Sequence, residues 1–260
     1  MYTFRHLDAS YAVDIILRHP DYTQKRYHSC EHVTAHYEKD SDRYLFRLEE
    51  RSDILLDNEP PKEVMDKLMI DLGNAIYPLS LVVGPESGIL EVKNFVFVKE
   101  QWKQKTEVIL KDQYTQPLER YIRIVSRNLK QEAALRKSLA KNTFVRLFFL
   151  PFQTDVFTFE FENFPERGDL VIFRCEPEQE ALLVENARYY KASILFPATY
   201  RGDGFIRYHH AETGDPLEIA AQFTVTGPEG KESKKQIRIR TIEKDRQVSG
   251  KKNFWSTLLE

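Results

Sequence analysis

The sequence predicts an α+β protein in which strand-rich stretches flank a charged helical block. Three observations support this prediction. Apolar residues recur at intervals of three and four in the middle of the chain, polar and apolar residues alternate on either side, and strand-favouring aromatic residues make up 12% of the chain. The expected architecture is an N-terminal sheet with amphipathic helices, followed by an antiparallel all-β sandwich or barrel-like region.

Residues 23–51 are expected to form two strands around a turn at Lys39-Asp40-Ser41-Asp42. Polar and apolar residues alternate through Tyr44, Phe46 and Leu48, which supports the second strand.

Asn58-Glu59-Pro60-Pro61 is predicted to open an amphipathic helix, because proline is tolerated in the first turn of a helix. Its apolar stripe follows intervals of three and four: Val64, Met65, Leu68, Met69, Leu72 and Ile76. Residues 79–93 are then predicted to form a hairpin, because glycine and proline mark a turn between two β-prone arms at 84–88.

The charged block runs from Phe95 to about Leu150 and contains twelve Lys and Arg residues against five Asp and Glu residues. Its net charge is therefore +7 in a chain of net charge −2, so the remaining residues together carry −9. Thr115-Gln116-Pro117 separates a first helix from a second, and a third helix leads into the apolar run at 144–150. That run is either a buried helix or a buried strand, since periodicity alone does not separate the two.

Strands are expected from Thr154 onward, with Phe157, Phe159 and Phe161 on one face of the first. Further strands are predicted at 169–175, 181–185, 189–199, 204–211, 217–226 and 235–243. The chain thus divides into an α+β domain, an antiparallel β domain, and a linker with a short docking helix, over 1–151, 152–248 and 249–260. The alternative to a boundary near Pro151 is one continuous sheet.

Composition limits the classes of function. A net charge near zero makes nucleic acid an unlikely partner, and the distant cysteines Cys30 and Cys175 do not form a disulfide scaffold.

No window approaches 18 uncharged apolar residues, so no membrane span is expected. The N-terminus lacks a signal-peptide pattern, which indicates a cytoplasmic protein, although a chain with its leader removed would look the same.

The sequence contains no serine-hydrolase elbow, phosphate-binding glycine loop, dinucleotide fingerprint or zinc-protease motif. This absence favours a protein that is not an enzyme and needs no cofactor. A carboxylate pair assembled from separate loops would leave no such motif, so the enzyme hypothesis is weakened rather than removed.

The nearest approach to a metal site is the segment 27–36. On a strand, His28, Cys30 and His32 share one face, and imidazole and thiolate are the ligands that zinc prefers. The competing interpretation is an ordinary polar strand face, because two donors on one element do not close a zinc site.

Two features predict binding to another protein or self-association. The first is a basic stripe on the second helix of the block: Arg120, Arg123 and Arg127. Lys130, Lys137 and Lys141 extend its positive charge, and an ordinary solvated helix face is the alternative. The second is a C-terminal peptide with apolar residues on one face of a short helix: Phe254, Trp255, Leu258 and Leu259. It docks either on its own chain or on another subunit.

These features favour a non-catalytic protein-interaction or structural component of a larger assembly. One alternative is a binding module for a lipid or other apolar ligand, in which Phe157, Phe159 and Phe161 face a cavity beneath the helices. The other alternative is a zinc-dependent enzyme that uses the His28, Cys30 and His32 strand.

Overall fold

A computed structural model describes residues 5–21, 23–84, 88–112, 115–149, 156–178 and 186–242. These residues form one antiparallel sheet of twelve strands, with five helices inserted in the middle of the chain, which confirms the α+β class. The strands are β1 (His6–Arg18), β2 (Gln24–Glu38), β3 (Arg43–Leu48), β4 (Ser52–Leu56), β5 (Leu79–Gly84), β6 (Gly88–Val92), β7 (Phe157–Glu162), β8 (Leu170–Pro177), β9 (Ala187–Phe196), β10 (Arg201–His210), β11 (Pro216–Thr226) and β12 (Glu232–Ile242). The helices are α1 (Val64–Asn74), α2 (Phe95–Asp112), α3 (Gln116–Asn128), α4 (Glu132–Leu139) and α5 (Thr143–Phe149).

The strand order is β6-β5-β3-β2-β1-β12-β11-β10-β9-β8-β7, and β4 pairs with β2 beyond the end of β3. The N-terminal strand β1 pairs with β2 on one side and with β12 on the other. Strands from both sides of the boundary expected near Pro151 therefore belong to one sheet, and the C-terminal strands are not a separate sandwich. The sheet is not closed into a barrel, because β6 and β7 end it without pairing with each other.

Most of the predicted elements are present. Two strands flank the turn at 39–42, and β5 and β6 form the hairpin. The helix predicted to open at 58–61 is present as α1, but it begins later, at Val64. The apolar run at 144–150, left open between helix and strand, is helical through Phe149 as part of α5. Two strands, β1 and β4, are not among the predicted elements, and the strand predicted at 181–185 lies outside the described residues.

The core lies between one face of the sheet and the helices, and α5 is at its centre. The ring of Phe148 contacts Tyr11 of β1 and Phe46 of β3, with centroids 5.2 and 6.1 Å away. Tyr208 of β10 donates its hydroxyl proton to the carbonyl oxygen of Leu147, over 2.9 Å. Burial of each large apolar side chain stabilises the fold by roughly 1.5–3 kcal/mol, so these contacts hold α5 firmly across the sheet.

The three phenylalanines of β7 face the core together, as predicted. Phe159 and Phe161 pack on the ring of Phe223 of β11, at centroid distances of 5.3 and 4.8 Å, and Phe161 also meets Phe173 of β8 at 6.1 Å. Phe157 packs edge-on against Tyr190 of β9, at 5.2 Å. The rings of β7 therefore fill the interior by packing on aromatic rings of β8, β9 and β11.

Helix side chains bond to the backbone at both free edges of the sheet. Arg146 of α5 donates to the carbonyl oxygens of Thr158 and Glu160 on β7, over 2.5 and 3.2 Å. Glu132 of α4 accepts the N–H of Val92 on β6, over 3.0 Å. An uncovered edge offers such groups to the strand of another chain. Helices α4 and α5 therefore cap the two edges.

Replacing Arg146 by Met tests this capping. The variant loses both backbone bonds and the contact between the guanidinium and the Phe159 ring, whose centroid lies 4.1 Å away. We expect the free energy of unfolding to fall by about 2 kcal/mol, measured by urea denaturation. We also expect a larger mass than wild type in concentration-dependent light scattering, because the β7 carbonyl groups become available.

The matched control is Arg123→Met, which removes an exposed ion pair with Glu119 on α3. Its free energy of unfolding should change by less than about 1 kcal/mol, since exposed pairs contribute little. If Arg146→Met has the stability and the mass of wild type, the capping role is wrong.

Candidate functional site

A groove of about 1000 Å³ lies between the two free edges of the sheet, and we call it the edge groove. Residues of β6 and β7 line it together with residues of α4, α5, β8 and β9. The lining residues are Gly88, Ile89, Ala133, Arg136, Lys137, Ala140, Lys141, Val145, Arg146, Phe149, Val156, Phe157, Thr158, Glu160, Arg174 and Leu195. Since both edge strands line one cavity, the sheet is curled enough to bring its two ends near each other.

The local sequence of α4 explains why the edge groove is open. Leu135 and Leu139 of this helix are buried in the core. Ala133, Lys137 and Ala140 lie on a different face, at spacings that align residues along a helix. The two alanines leave space that longer side chains would fill, and the flexible lysine extends beside them.

Positive charge dominates the described lining of the edge groove. Glu160 is its one acidic residue, against five cations: Arg136, Lys137, Lys141, Arg146 and Arg174. Three of these cations are paired with carboxylates outside the lining: Arg136 with Glu132, Lys141 with Glu162, and Arg174 with Glu176.

The other two cations differ from each other. Lys137 forms no ion pair with a described residue, whereas Arg146 lies near the Glu160 carboxylate of the same lining and bonds to backbone carbonyl groups. Burial lowers the pKa of its guanidinium, but arginine remains protonated in proteins. The edge groove therefore keeps one positive charge, that of Lys137, which no described carboxylate pairs with and which an anionic group of a ligand can meet.

Apolar side chains lie beside these charges. Val156 is 47% exposed and Leu195 is 55% exposed, whereas Phe149 and Phe157 are buried behind them. Together the exposed apolar side chains and the cations offer a bound molecule both apolar contact and charge.

The structure places His28, Cys30 and His32 on one face of β2, opposite the face that packs on the helices. Nδ1 of His28 lies 2.8 Å from an Asp14 carboxylate oxygen, and Nδ1 of His32 lies 3.0 Å from the Ser10 hydroxyl. Burial, followed by a hydrogen bond with Asp53, raises the pKa of the Cys30 thiol to about 11.

These surroundings do not favour zinc, because zinc binds the thiolate rather than the thiol. Within the described ranges, no three His, Cys, Asp or Glu side chains come together as metal ligands. The zinc site at His28, Cys30 and His32 stays a prediction, and the histidines here pair with side chains of β1.

The three arginines predicted to bind a partner are not part of the edge-groove lining. Arg120, Arg123 and Arg127 are exposed on α3, and Arg123 pairs with Glu119 at 2.6 Å. Lys137 and Lys141, which were predicted to extend this basic stripe, do line the groove. The apolar residues of the C-terminal peptide lie outside the described residues: Phe254, Trp255, Leu258 and Leu259.

A second polar centre is buried beneath the helices and is not among the predicted sites. Glu31 of β2 is 4% exposed, and one of its carboxylate oxygens has no hydrogen-bond partner among the residues described. Burial raises the pKa of Glu31 to about 7, and the nearby Arg51 guanidinium opposes this shift. Arg51 lies 5.3 Å from the Tyr77 ring and donates to Asn74 over 3.2 Å.

The interruption between β3 and β4 explains how Arg51 reaches this position. Both strands pair with β2, but β3 ends at Leu48 and β4 begins at Ser52, so Arg51 leaves the ladder between them. The sequence signal for Glu31 is its alternation in phase with Val33 and Ala35 on the core-facing side of β2.

No protein-family model matches this chain, and no curated protein is significantly similar to it in sequence. Among the helices of the described ranges, none combines the length and the hydropathy that a membrane crossing requires. A function must therefore be argued from the geometry of the chain itself.

The buried Glu31 predicts a specific pH dependence of stability. Its pKa is about 7 in the folded protein against an ordinary value of 4.5, so the folded chain holds this proton more tightly than the unfolded chain. Protonated Glu31 contributes its full stabilisation of the fold below pH 4.5, and this contribution is lost as the pH rises to about 7. The free energy of unfolding of Glu31→Gln relative to wild type should therefore rise by roughly 3 kcal/mol between about pH 4.5 and pH 8.

Urea denaturation across this pH range measures the difference. Glu107→Gln, at an exposed position of α2, is the control and should track wild type throughout. A Glu31→Gln difference that stays constant with pH would show that Glu31 ionises alike in the folded and unfolded chains.

Proposed function

We propose that this protein is a non-catalytic protein-interaction component of a larger assembly, and that it binds its partner in the edge groove. One observation carries the proposal: an excess of cations over carboxylates and exposed apolar side chains lie together between two strand edges. Lys137 supplies a charge that no described carboxylate pairs with, and Val156 and Leu195 supply the apolar surface.

The chemistry of the lining supports binding rather than catalysis. Proton transfer and nucleophilic attack require a His, Cys, Ser, Lys or carboxylate held beside a second group of complementary role. The described lining contains no His, Cys or Ser, and Glu160 is its one carboxylate. Its lysines, Lys137 and Lys141, lie among other cations, an arrangement that suits the attraction of an anionic surface.

The size of the edge groove supports a polypeptide partner. Its volume of about 1000 Å³ lies at the upper end of small-molecule sites, and it is open rather than enclosed. A small ligand would leave much of its own surface in water there, whereas a segment of another protein can extend along the groove.

The two alternative functions stay predictions. The apolar-ligand alternative requires Phe157, Phe159 and Phe161 to face a ligand, and these rings pack on Phe223, Phe173 and Tyr190 instead. The zinc-enzyme alternative requires ligands beyond His28, Cys30 and His32, and the histidines bond to β1 side chains. No observation in the described residues favours either one.

Affinity purification from extracts of the source cells tests the proposal. We expect partners captured by the tagged wild-type protein to be lost from Lys137→Glu combined with Leu195→Ser, because the charge is reversed and the apolar contact removed. For a purified partner, the dissociation constant should rise about tenfold or more, equivalent to roughly 1.4 kcal/mol.

Two controls separate the edge groove from the other predicted surfaces. Arg120→Glu with Arg127→Glu reverses charge on α3, and a chain ending at Val248 removes the C-terminal peptide. Both should retain the partners. If the partners are lost with either control but kept by the groove variant, the binding surface lies on α3 or on the peptide, and the proposal is wrong.

A further inference from the structure

We propose that the occupant of the edge groove is an extended acidic segment of a partner protein, held by its side chains without adding a strand to the sheet. This inference rests on the proposed function and deepens it. It names the chemistry of the partner and the way in which the partner is held.

Charge complementarity selects an acidic segment. Lys137 lacks an ion-pair partner among the described residues, so a carboxylate entering the groove gains a new charge-assisted contact. Arg174 lies in the same lining and adds to the positive potential. A basic segment would meet repulsion, and the chain's own C-terminal peptide carries Lys251 and Lys252 before its apolar residues.

The apolar part of the groove adds a second requirement. Val156 and Leu195 are exposed beside the cations. Binding gains free energy from burying them only if the segment places an apolar side chain over them. The occupant therefore combines several carboxylates with at least one aliphatic residue.

The caps on the two edges decide how the segment is held. A peptide that adds as a strand needs free N–H and carbonyl groups along an edge. On β7 the carbonyl oxygens of Thr158 and Glu160 already accept bonds from Arg146, and on β6 the N–H of Val92 already bonds to Glu132. Strand addition would have to break these bonds, whereas binding through side chains leaves them intact.

The same lining disfavours two other anionic partners. Single-stranded nucleic acid binds where aromatic rings are exposed for base stacking, and the rings here, Phe149 and Phe157, are buried. Anionic membranes bind projecting amphipathic helices, and the cations here line a concave surface. The polypeptide is therefore the occupant that the geometry favours.

Fluorescence anisotropy with defined probes tests the inference on the full-length protein. The main probe is a fluorescein-labelled heptapeptide, Glu-Glu-Leu-Glu-Leu-Glu-Glu. We expect it to bind wild type and to bind Lys137→Glu about tenfold more weakly or worse. Lys130→Glu reverses a lysine that is exposed but outside the lining, and it should bind the probe within about twofold of wild type.

Four further probes separate the outcomes. A heptapeptide with Lys in place of Glu should not bind. The acidic heptapeptide with alternate N-methylated peptide bonds should bind within about twofold of the unmethylated probe, because N-methylation blocks only strand addition. Oligothymidylate and phosphatidylserine vesicles should bind more weakly than the acidic heptapeptide.

Each contrary result overturns a defined part of the inference. Loss of binding on N-methylation would show that the segment adds as a strand. Tighter binding of oligothymidylate or of the vesicles would replace the acidic segment by a nucleic acid or a membrane. If the acidic heptapeptide does not bind at about 1 mM while native partners still require an intact groove, the inference fails and the proposed function stands. If the groove variant also keeps its native partners, both fail.

Discussion

The fold depends on one constraint, the pairing of the N-terminal strand β1 with β2 on one side and with β12 on the other. Because the first and last described strands are neighbours in the middle of the sheet, the strands that flank the helical block, β6 and β7, lie at its two ends. The chain between them must therefore pass from one edge of the sheet to the other. This topology places α4 and α5 where they cap both edges, and it creates the edge groove beside them.

The ion pairs of the helical block fix its position on the sheet more than they stabilise the fold. Lys141 pairs with Glu162 of β7 and Lys105 pairs with Asp71 of α1, which ties the block to the elements around it. Exposed pairs of this kind contribute about 1 kcal/mol or less each. The main stabilisation comes from buried apolar side chains such as Phe148, whose burial is worth roughly 1.5–3 kcal/mol.

Local patterns predict the helices and most strands of this chain, but not the connection that unites them. The alternation of Leu7, Tyr11 and Val13 on β1 is visible in the sequence, yet its partner β12 lies more than two hundred residues away, and no local pattern encodes that pairing. The edge groove is equally non-local. Lys137 is identifiable as part of a basic stripe, whereas Arg146 lies inside an apolar run, and its role becomes apparent only once β7 lies beside it.

The central position of β1 also sets the order in which the sheet can be completed during synthesis. Once β2 has emerged from the ribosome, β1 can pair with it, but the other side of β1 has no native partner until β12 follows. At about 5–20 residues per second, that wait lasts on the order of 10 to 45 seconds. During this interval one side of the thirteen-residue strand β1 lacks its native partner, and its backbone groups on that side are exposed to pairing with other strands.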